Sequence, residues 1–104
     1  MARFDVYQHP DPAERKWMPY LLDVQNSYLD LIGTRVVIPL QIEKSMPNKV
    51  RNLNPTLQIQ GKSLVMNTAA MMAIAEFELR KPVQNLTADQ LIIQDALDTL
   101  FGAY

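Results

Sequence analysis

The chain has 104 residues, of which 48% are hydrophobic, so it has the size of one domain, 1–104, that can bury a continuous core. Ten basic and eleven acidic residues leave a formal charge of -1, which provides no overall field for recruiting nucleic acid or an anionic membrane. The chain contains no cysteine and one histidine, so disulfides and thiol chemistry are excluded and a zinc site is disfavoured. Its sequence shows no apolar run typical of a signal peptide or a membrane span, and we expect a soluble cytoplasmic protein.

Alternating apolar and polar residues predict a series of short antiparallel strands. Tyr20, Leu22 and Val24 are expected to point inward, with Asp23 and Gln25 outward. In the most β-branched stretch, Pro39 is expected at a sheet edge or a strand end. The predicted strands are residues 3–7, 20–25, 34–40, 57–60, 63–66 and 75–79.

The segments between these strands are rich in residues that interrupt regular structure. Residues 8–18 are expected to form a loop, 26–33 a wide turn and 41–55 a long arm. Gly61 is expected to open a two-residue hairpin turn, Gly61-Lys62. Residues 68–73 are interpreted as a tight, buried connection.

The last eighteen residues, 87–104, are predicted to form one amphipathic helix. Thr87 is a candidate N-cap, with Gln90 three residues later as in a capping box. Gly102 is expected to end the helix. The apolar stripe consists of Ile93, Ala96, Leu97, Leu100 and Phe101. The architecture expected from this order of elements is α+β: a small SH3-like antiparallel β-barrel or bent sheet with a long C-terminal helix.

No catalytic or metal-binding pattern is evident in the sequence. His9 lies in a proline-flanked segment and is expected to be solvated surface rather than a general acid or base. Asp95 and Asp98 are one helical turn apart, an ordinary arrangement on the polar face of a helix. Three separated glycines cannot form a phosphate-binding loop. The residues alone therefore predict a globular domain without cofactor, metal or catalytic site.

Several short segments of the sequence, taken together, resemble one family. They are Asp23-Val24-Gln25, the run Gly33-Thr34-Arg35-Val36-Val37-Ile38-Pro39-Leu40, the hairpin containing Met66 with Thr68 after it, Pro82-Val83 and the helix start Leu86-Thr87. In this order and spacing they are similar to the CcdB family of bacterial toxins, and the resemblance extends from Phe4 to Tyr104.

The resemblance implies a homodimer of SH3-like barrels and a toxin of a type II toxin–antitoxin system, of the kind associated with plasmid maintenance. It implies that the protein is not an enzyme. Such a toxin binds the A subunit of DNA gyrase and traps the cleaved DNA–gyrase complex, without contacting nucleic acid or membrane directly. A CcdA-like antitoxin neutralises it through a disordered segment, a kind of ligand that can wrap a surface and be removed by proteolysis.

The resemblance also implies positions for the two interfaces. The family contacts gyrase with a C-terminal tryptophan-glycine-isoleucine sequence, which corresponds here to Gly102, Ala103 and Tyr104, so the tryptophan is absent. We expect Tyr104 to supply the missing ring. The other expected gyrase-binding residues are Tyr28, Leu29, Asp98 and Phe101. Pairing across a two-fold axis is assigned to the helix end and to Met66, Thr68, Met71, Met72 and Ile74.

Two alternatives remain open on the sequence. The same barrel is used by endoribonuclease toxins similar to MazF and Kid, for which Arg35 and His9 would be the catalytic candidates. A CcdB-like protein that keeps the antitoxin but has a changed target is the other alternative, since the C-terminal tryptophan is missing.

Overall fold

The computed structural model describes residues 1–102 as seven strands and one α-helix. Ala103 and Tyr104 lie outside the described residues. The elements are β1 (Asp5–Gln8), β2 (Tyr20–Asp23), β3 (Thr34–Ile42), β4 (Thr56–Ile59), β5 (Lys62–Met66), β6 (Met72–Ala75), β7 (Gln84–Asn85) and α1 (Gln90–Phe101). The α+β architecture is confirmed, with an antiparallel sheet that is nearly closed into a barrel.

The sheet has the order β4-β5-β3-β2-β1-β7, and β6 pairs with β3. Its two outer strands, β4 and β7, approach each other through side-chain amides rather than through a backbone ladder. Gln84 Nε2 donates to the carbonyl of Gln58 at 3.0 Å, and the Gln60 backbone N–H donates to Gln84 Oε1 at 2.9 Å. These bonds satisfy part of the open edge and nearly close the barrel.

Strand β3 is the centre of the sheet and is longer than predicted. Its first half pairs with β6 (Thr34 to Val37) and its second half with β5 (Leu40 to Ile42), while β2 covers the opposite edge. Pro39 therefore lies in the strand interior, and its assignment to an edge or a strand end was wrong. It is tolerated because it stands where the pairing changes from β6 to β5, so no β6 or β5 residue is paired with it.

Other local predictions differ from the structure by small shifts. The hairpin turn is Gln60-Gly61 rather than Gly61-Lys62, with φ of 51° and 78°, as a type I′ turn requires. Strand β6 replaces the strand expected at 75–79, where Glu76–Glu78 is a 3-10 turn. Thr68 is buried in the 68–73 connection, but Met72 is exposed, so that connection is only partly buried.

The helix α1 begins later than predicted. Thr87–Asp89 is a 3-10 turn, and the Thr87 hydroxyl donates to Asn85 Oδ1 instead of accepting from the helix, so the capping-box prediction was wrong. Gly102 does end the helix, with φ of 74° in the left-handed region. Within the described chain, no helix has the length and apolar character needed to cross a bilayer.

The main core lies between the inner face of the sheet and α1. Leu22, Val24, Ile93, Ala96 and Leu97 belong to it, as the alternation and the helical periodicity predicted. A second, smaller core on the other face of β1–β3 contains Tyr7, Leu21, Val37 and Leu79. Two buried layers explain why several polar strand residues, expected in solvent, are enclosed.

Candidate functional site

The 26–33 turn exposes four apolar side chains. Tyr28 is 90% exposed and Leu31 98%, and Leu29 and Ile32 are also largely accessible. The turn is nevertheless ordered: Asn26 Oδ1 accepts from the Tyr28 N–H at 2.9 Å, and Gln25 Nε2 donates to the Leu29 carbonyl at 2.9 Å. An apolar group held outward by specific hydrogen bonds is typical of a protein–protein contact surface.

A buried ion pair lies beneath this turn. Arg35 Nε donates to Asp23 Oδ2 at 2.7 Å and Arg35 Nη2 to Asp23 Oδ1 at 3.0 Å, and neither side chain is exposed. Asp23 and Gln25 were predicted to face solvent, which was wrong, since this face of β2 is covered by the second core and by the turn. The alternation itself was right, because both residues point away from the main core.

The same arginine anchors the turn. Arg35 Nη1 donates to Asp30 Oδ1 at 3.3 Å, and Nη2 donates to the Gln25 carbonyl at 3.3 Å. Burial opposes the charge of Arg35, but the hydrogen bonds and charge of Asp23 raise its pKa above the usual value, so the guanidinium stays ionised. The exposed turn is therefore held in place by two of the segments on which the family resemblance rests, Asp23-Val24-Gln25 and the strand that contains Arg35.

The helix end provides a second exposed group. Phe101, the last residue of α1, is 70% exposed, and Leu91, in the first turn of the same helix, is 81% exposed. Asp98 is half-buried and accepts a hydrogen bond from Gln94 Nε2 at 3.0 Å. The Gly102 N–H closes the helix on the Asp98 carbonyl at 2.9 Å. The gyrase-binding assignments at Ala103 and Tyr104 lie outside the described residues.

Arg3 joins the turn to the helix. Its backbone N–H donates to Ser27 Oγ at 2.8 Å, its Nε to the Val24 carbonyl at 3.0 Å and its Nη2 to Gln94 Oε1 at 3.1 Å. Because Gln94 in turn binds Asp98, a chain of hydrogen bonds connects the two groups. We call the combined area the turn–helix surface; it contains Tyr28, Leu29, Leu31, Ile32, Leu91, Asp98 and Phe101.

Sequence reasoning found part of this surface and missed the rest. Tyr28, Leu29, Asp98 and Phe101 were predicted to bind gyrase; the structure places them on this surface, and their role stays a prediction. Leu31, Ile32 and Leu91 were not singled out, although the cluster of apolar residues in the predicted 26–33 turn is a usable signal for Leu31 and Ile32. Nothing in the sequence indicated the bridging role of Arg3, which depends on residues up to 91 positions away.

The residues assigned to dimerisation occupy different depths. Met66 is fully buried in the main core, and Thr68 is buried with its hydroxyl donating to the Leu53 carbonyl. Met71 and Ile74 are half-buried, and Met72 is 37% exposed. The 3-10 turn Thr68–Ala70 packs against α1, so this region is continuous with the helix.

His9 and Arg35 do not form a catalytic pair. Arg35 is enclosed by Asp23, Asp30 and Gln25, whereas His9 lies in the segment after β1. His9 was expected to be solvated, which was wrong: it is 6% exposed, and its Nδ1 accepts from the Asp11 N–H at 3.1 Å. Burial lowers its pKa, as does Arg15, while the charges of Glu14 and Asp11 oppose the shift.

A comparison with models of known protein families identifies the family of the chain. The family model described as CcdB protein matches residues 3–102, nearly the whole chain. The chain belongs to the CcdB family. Members of the CcdB family are toxins of toxin–antitoxin systems, and the resemblance proposed on the sequence is confirmed.

Proposed function

We propose that this CcdB-family protein is a type II toxin that binds the A subunit of DNA gyrase through the turn–helix surface and traps the cleaved DNA complex. The observation that carries the proposal is the joining of an exposed apolar turn to an exposed helix end through Arg3. Large apolar side chains that are accessible in the free protein and held on an ordered scaffold are the usual centre of a tight interface.

The proposed action requires no bond to be made or broken by the toxin. Phe101 and Tyr28 supply apolar area, and Asp98, oriented by Gln94, supplies a carboxylate for a polar contact at the same surface. A partner that docks there and is held in one conformation cannot complete its own cycle. Tyr104, beyond the helix end, is proposed to contribute the ring that the family otherwise places at the position of Gly102.

The enzyme alternative is not favoured by any arrangement in the described residues. The Arg35 side chain is fully buried and forms an ion pair with Asp23, so it cannot reach an RNA phosphate. His9 is nearly enclosed, and Asp11 occupies its Nδ1. We therefore propose that the protein acts by binding its target. RNA cleavage by the purified protein would contradict this proposal.

We also propose that the protein acts as a homodimer and is neutralised by a CcdA-like antitoxin. The dimer contact would use Met72 with the half-buried Met71 and Ile74, supported from beneath by the buried Met66 and Thr68. Replacing Met72 with Asp should give a monomer in sedimentation experiments. Val50→Asp is a matched control, since Val50 is also exposed but lies in the 43–55 loop.

The experiment that tests the main proposal is calorimetric binding to the breakage-reunion domain of gyrase A, together with a cleaved-complex assay containing DNA and ATP. Tyr28→Ala and Phe101→Ala should each weaken binding about tenfold or more, as truncated interface aromatics do. Phe77→Ala, which removes an equally exposed ring outside the turn–helix surface, should leave binding unchanged. Wild-type protein that neither binds gyrase nor traps cleaved DNA would refute the proposal.

A further inference from the structure

A cleft of about 650 Å³ lies between the 10–15 loop and the 77–83 segment, and no residue of the turn–helix surface lines it. Its volume is within the range of roughly 300–1,000 Å³ that binding sites for small molecules occupy. Part of its wall is apolar, since Pro10, Pro12 and Val83 line it. We call this site the Phe77 cleft, after the aromatic residue that also lines it.

Phe77 provides an accessible aromatic ring at the cleft. The residue is 87% exposed, although its position in the chain is fixed. It belongs to the 3-10 turn Glu76–Glu78, in which the Leu79 N–H donates to the Glu76 carbonyl at 3.1 Å, and the Leu79 side chain that follows is buried. An aromatic ring exposed on an ordered turn is suited to stacking on a planar aromatic ligand such as a base.

The charge of the cleft is positive although the whole chain carries -1. Arg15, Arg80 and Lys81 line it, against the single carboxylate of Glu78. Arg15 Nε donates to the His9 carbonyl at 2.6 Å, which holds that guanidinium at the cleft. Arg80 and Lys81 form no ion pair within residues 1–102. Guanidinium and ammonium groups are the side chains that bind phosphate oxygens, so three of them in one cleft fit a ligand with several phosphates.

Gln8 adds polar groups to the same cleft. The His9 N–H donates to the Pro19 carbonyl on the β2 side, and an antiparallel ladder alternates between its two sides, so the N–H and C=O of Gln8 point away from β2. Strand β7 pairs with β1 only at Asp5 and Val6, and no strand of the described chain covers Gln8 on that side. The backbone edge and the side-chain amide each offer a donor and an acceptor, the pair of groups that recognises the edge of a base.

We propose that the Phe77 cleft binds a nucleoside triphosphate. The base would stack on Phe77 and meet the polar groups of Gln8, and the phosphates would lie against Arg15, Arg80 and Lys81. Side-chain cations would bind the phosphates in place of a glycine-rich loop, which this sequence lacks. A nucleotide carries a planar aromatic group and several negative charges in one small molecule, so it complements the ring and the cations together, whereas an inorganic anion or an uncharged base complements one of them.

The test is a calorimetric titration of the full-length protein with ATP, compared with inorganic tripolyphosphate and with adenosine. ATP should bind about tenfold or more tightly than either partial ligand, because it alone contacts both the ring and the cations. Arg80→Glu combined with Lys81→Glu should weaken the binding of ATP and of tripolyphosphate about tenfold or more and reduce its salt dependence. Phe77→Ala should weaken ATP binding about tenfold and leave tripolyphosphate binding unchanged.

Lys44→Glu combined with Lys49→Glu is the matched control, since it makes the same charge change at exposed positions outside the cleft and should preserve the affinity for ATP. Three results would each overturn the assignment: no binding of ATP at millimolar concentration, equal loss of ATP affinity in the two double variants, or wild-type ATP affinity in Phe77→Ala. Tighter binding of a single-stranded RNA than of ATP would overturn it in favour of a polynucleotide.

Nucleotide binding at the cleft does not depend on the proposed target. Phe101→Ala should lower the affinity for gyrase and leave ATP binding intact, whereas Phe77→Ala should do the reverse. ATP binding in the cleft of a protein that fails to bind gyrase would support the cleft and contradict the target. Gyrase poisoning by a protein that does not bind ATP would contradict the cleft alone.

Discussion

Replacing Arg35 with Met should be among the most destabilising single substitutions in this protein. Arg35 makes two hydrogen bonds to Asp23, one to Asp30 and one to the Gln25 carbonyl, and its side chain is fully enclosed. Within residues 1–102, the substitution leaves the buried Asp23 carboxylate with the Gln25 N–H, at 3.0 Å, as its single hydrogen-bond partner. Breaking a buried ion pair in this way costs about 3–5 kcal/mol, a large part of the roughly 5–15 kcal/mol that stabilises a domain.

Urea unfolding followed by circular dichroism measures this loss. With an m-value of about 2 kcal/mol/M, the expected change lowers the midpoint by about 2 M. Arg35→Lys keeps the charge but not the two-pronged geometry and should be destabilised by about 2 kcal/mol. Arg80→Met, at an exposed position without an ion pair in the described chain, should change stability by no more than about 0.5 kcal/mol.

A double variant tests the physical reason. Asp23→Leu combined with Arg35→Met removes both charges, so no carboxylate is left unpaired and most of the lost stability should return. Two results would refute the idea that an unpaired buried carboxylate causes most of the lost stability. One is a cost of less than about 1 kcal/mol for Arg35→Met. The other is a double variant whose loss of stability equals the sum of the losses in the two single variants.

Three further predictions follow from other parts of the structure. Burial lowers the pKa of His9 from its usual 6.5, so as the pH falls the unfolded chain binds a proton at His9 before the folded chain does. The free energy of unfolding, measured with urea, should therefore decrease as the pH drops below about 6.5. His9→Gln should flatten that pH dependence. Gly102→Ala places a Cβ at φ of 74° and should destabilise the protein by about 1 kcal/mol in thermal unfolding, although no side chain from elsewhere in residues 1–102 lies within 4 Å of that Cβ. Arg3→Met removes the side-chain bonds to Val24 and Gln94 and should weaken gyrase binding more than it lowers stability, with Lys16→Met, an exposed cation elsewhere, as the comparison in both assays.

The sequence predicted the architecture because its main signals are local. Alternation in β1 and β2 and the helical repeat of Ile93, Ala96 and Leu97 each report which side of one element is apolar. They do not report what covers the other side. Asp23 and Gln25 were assigned to solvent for that reason. Asp23 pairs with Arg35, and Gln25 Oε1 accepts from the Val36 N–H, both in the next strand, while Gln25 Nε2 donates to Leu29 in the 26–33 turn.

Features made by distant residues could not be predicted in the same way. Pro39 looked like a strand end because the change of partner from β6 to β5 is visible only in the folded sheet. His9 looked solvated because its position depends on residues outside its own segment: its N–H donates to the Pro19 carbonyl, and its carbonyl accepts from Arg15 Nε. The candidate site was found only in part, since Arg3 joins its two halves across 91 positions.

The buried ion pair of Asp23 and Arg35 is better explained by its role in positioning the 26–33 turn than by its contribution to the stability of the fold. A well-packed apolar pair of similar volume is often as stable as a buried ion pair or more so, yet it cannot donate to Asp30 or to the Gln25 carbonyl as Arg35 does. Those bonds hold the turn that exposes Tyr28 and Leu31. The double variant with Leu at 23 and Met at 35 should therefore fold stably while its gyrase affinity falls, because the partner must then order a loosened turn on binding. Gyrase affinity equal to that of the wild type would show instead that the Asn26 and Gln25 side-chain bonds are sufficient to hold the surface.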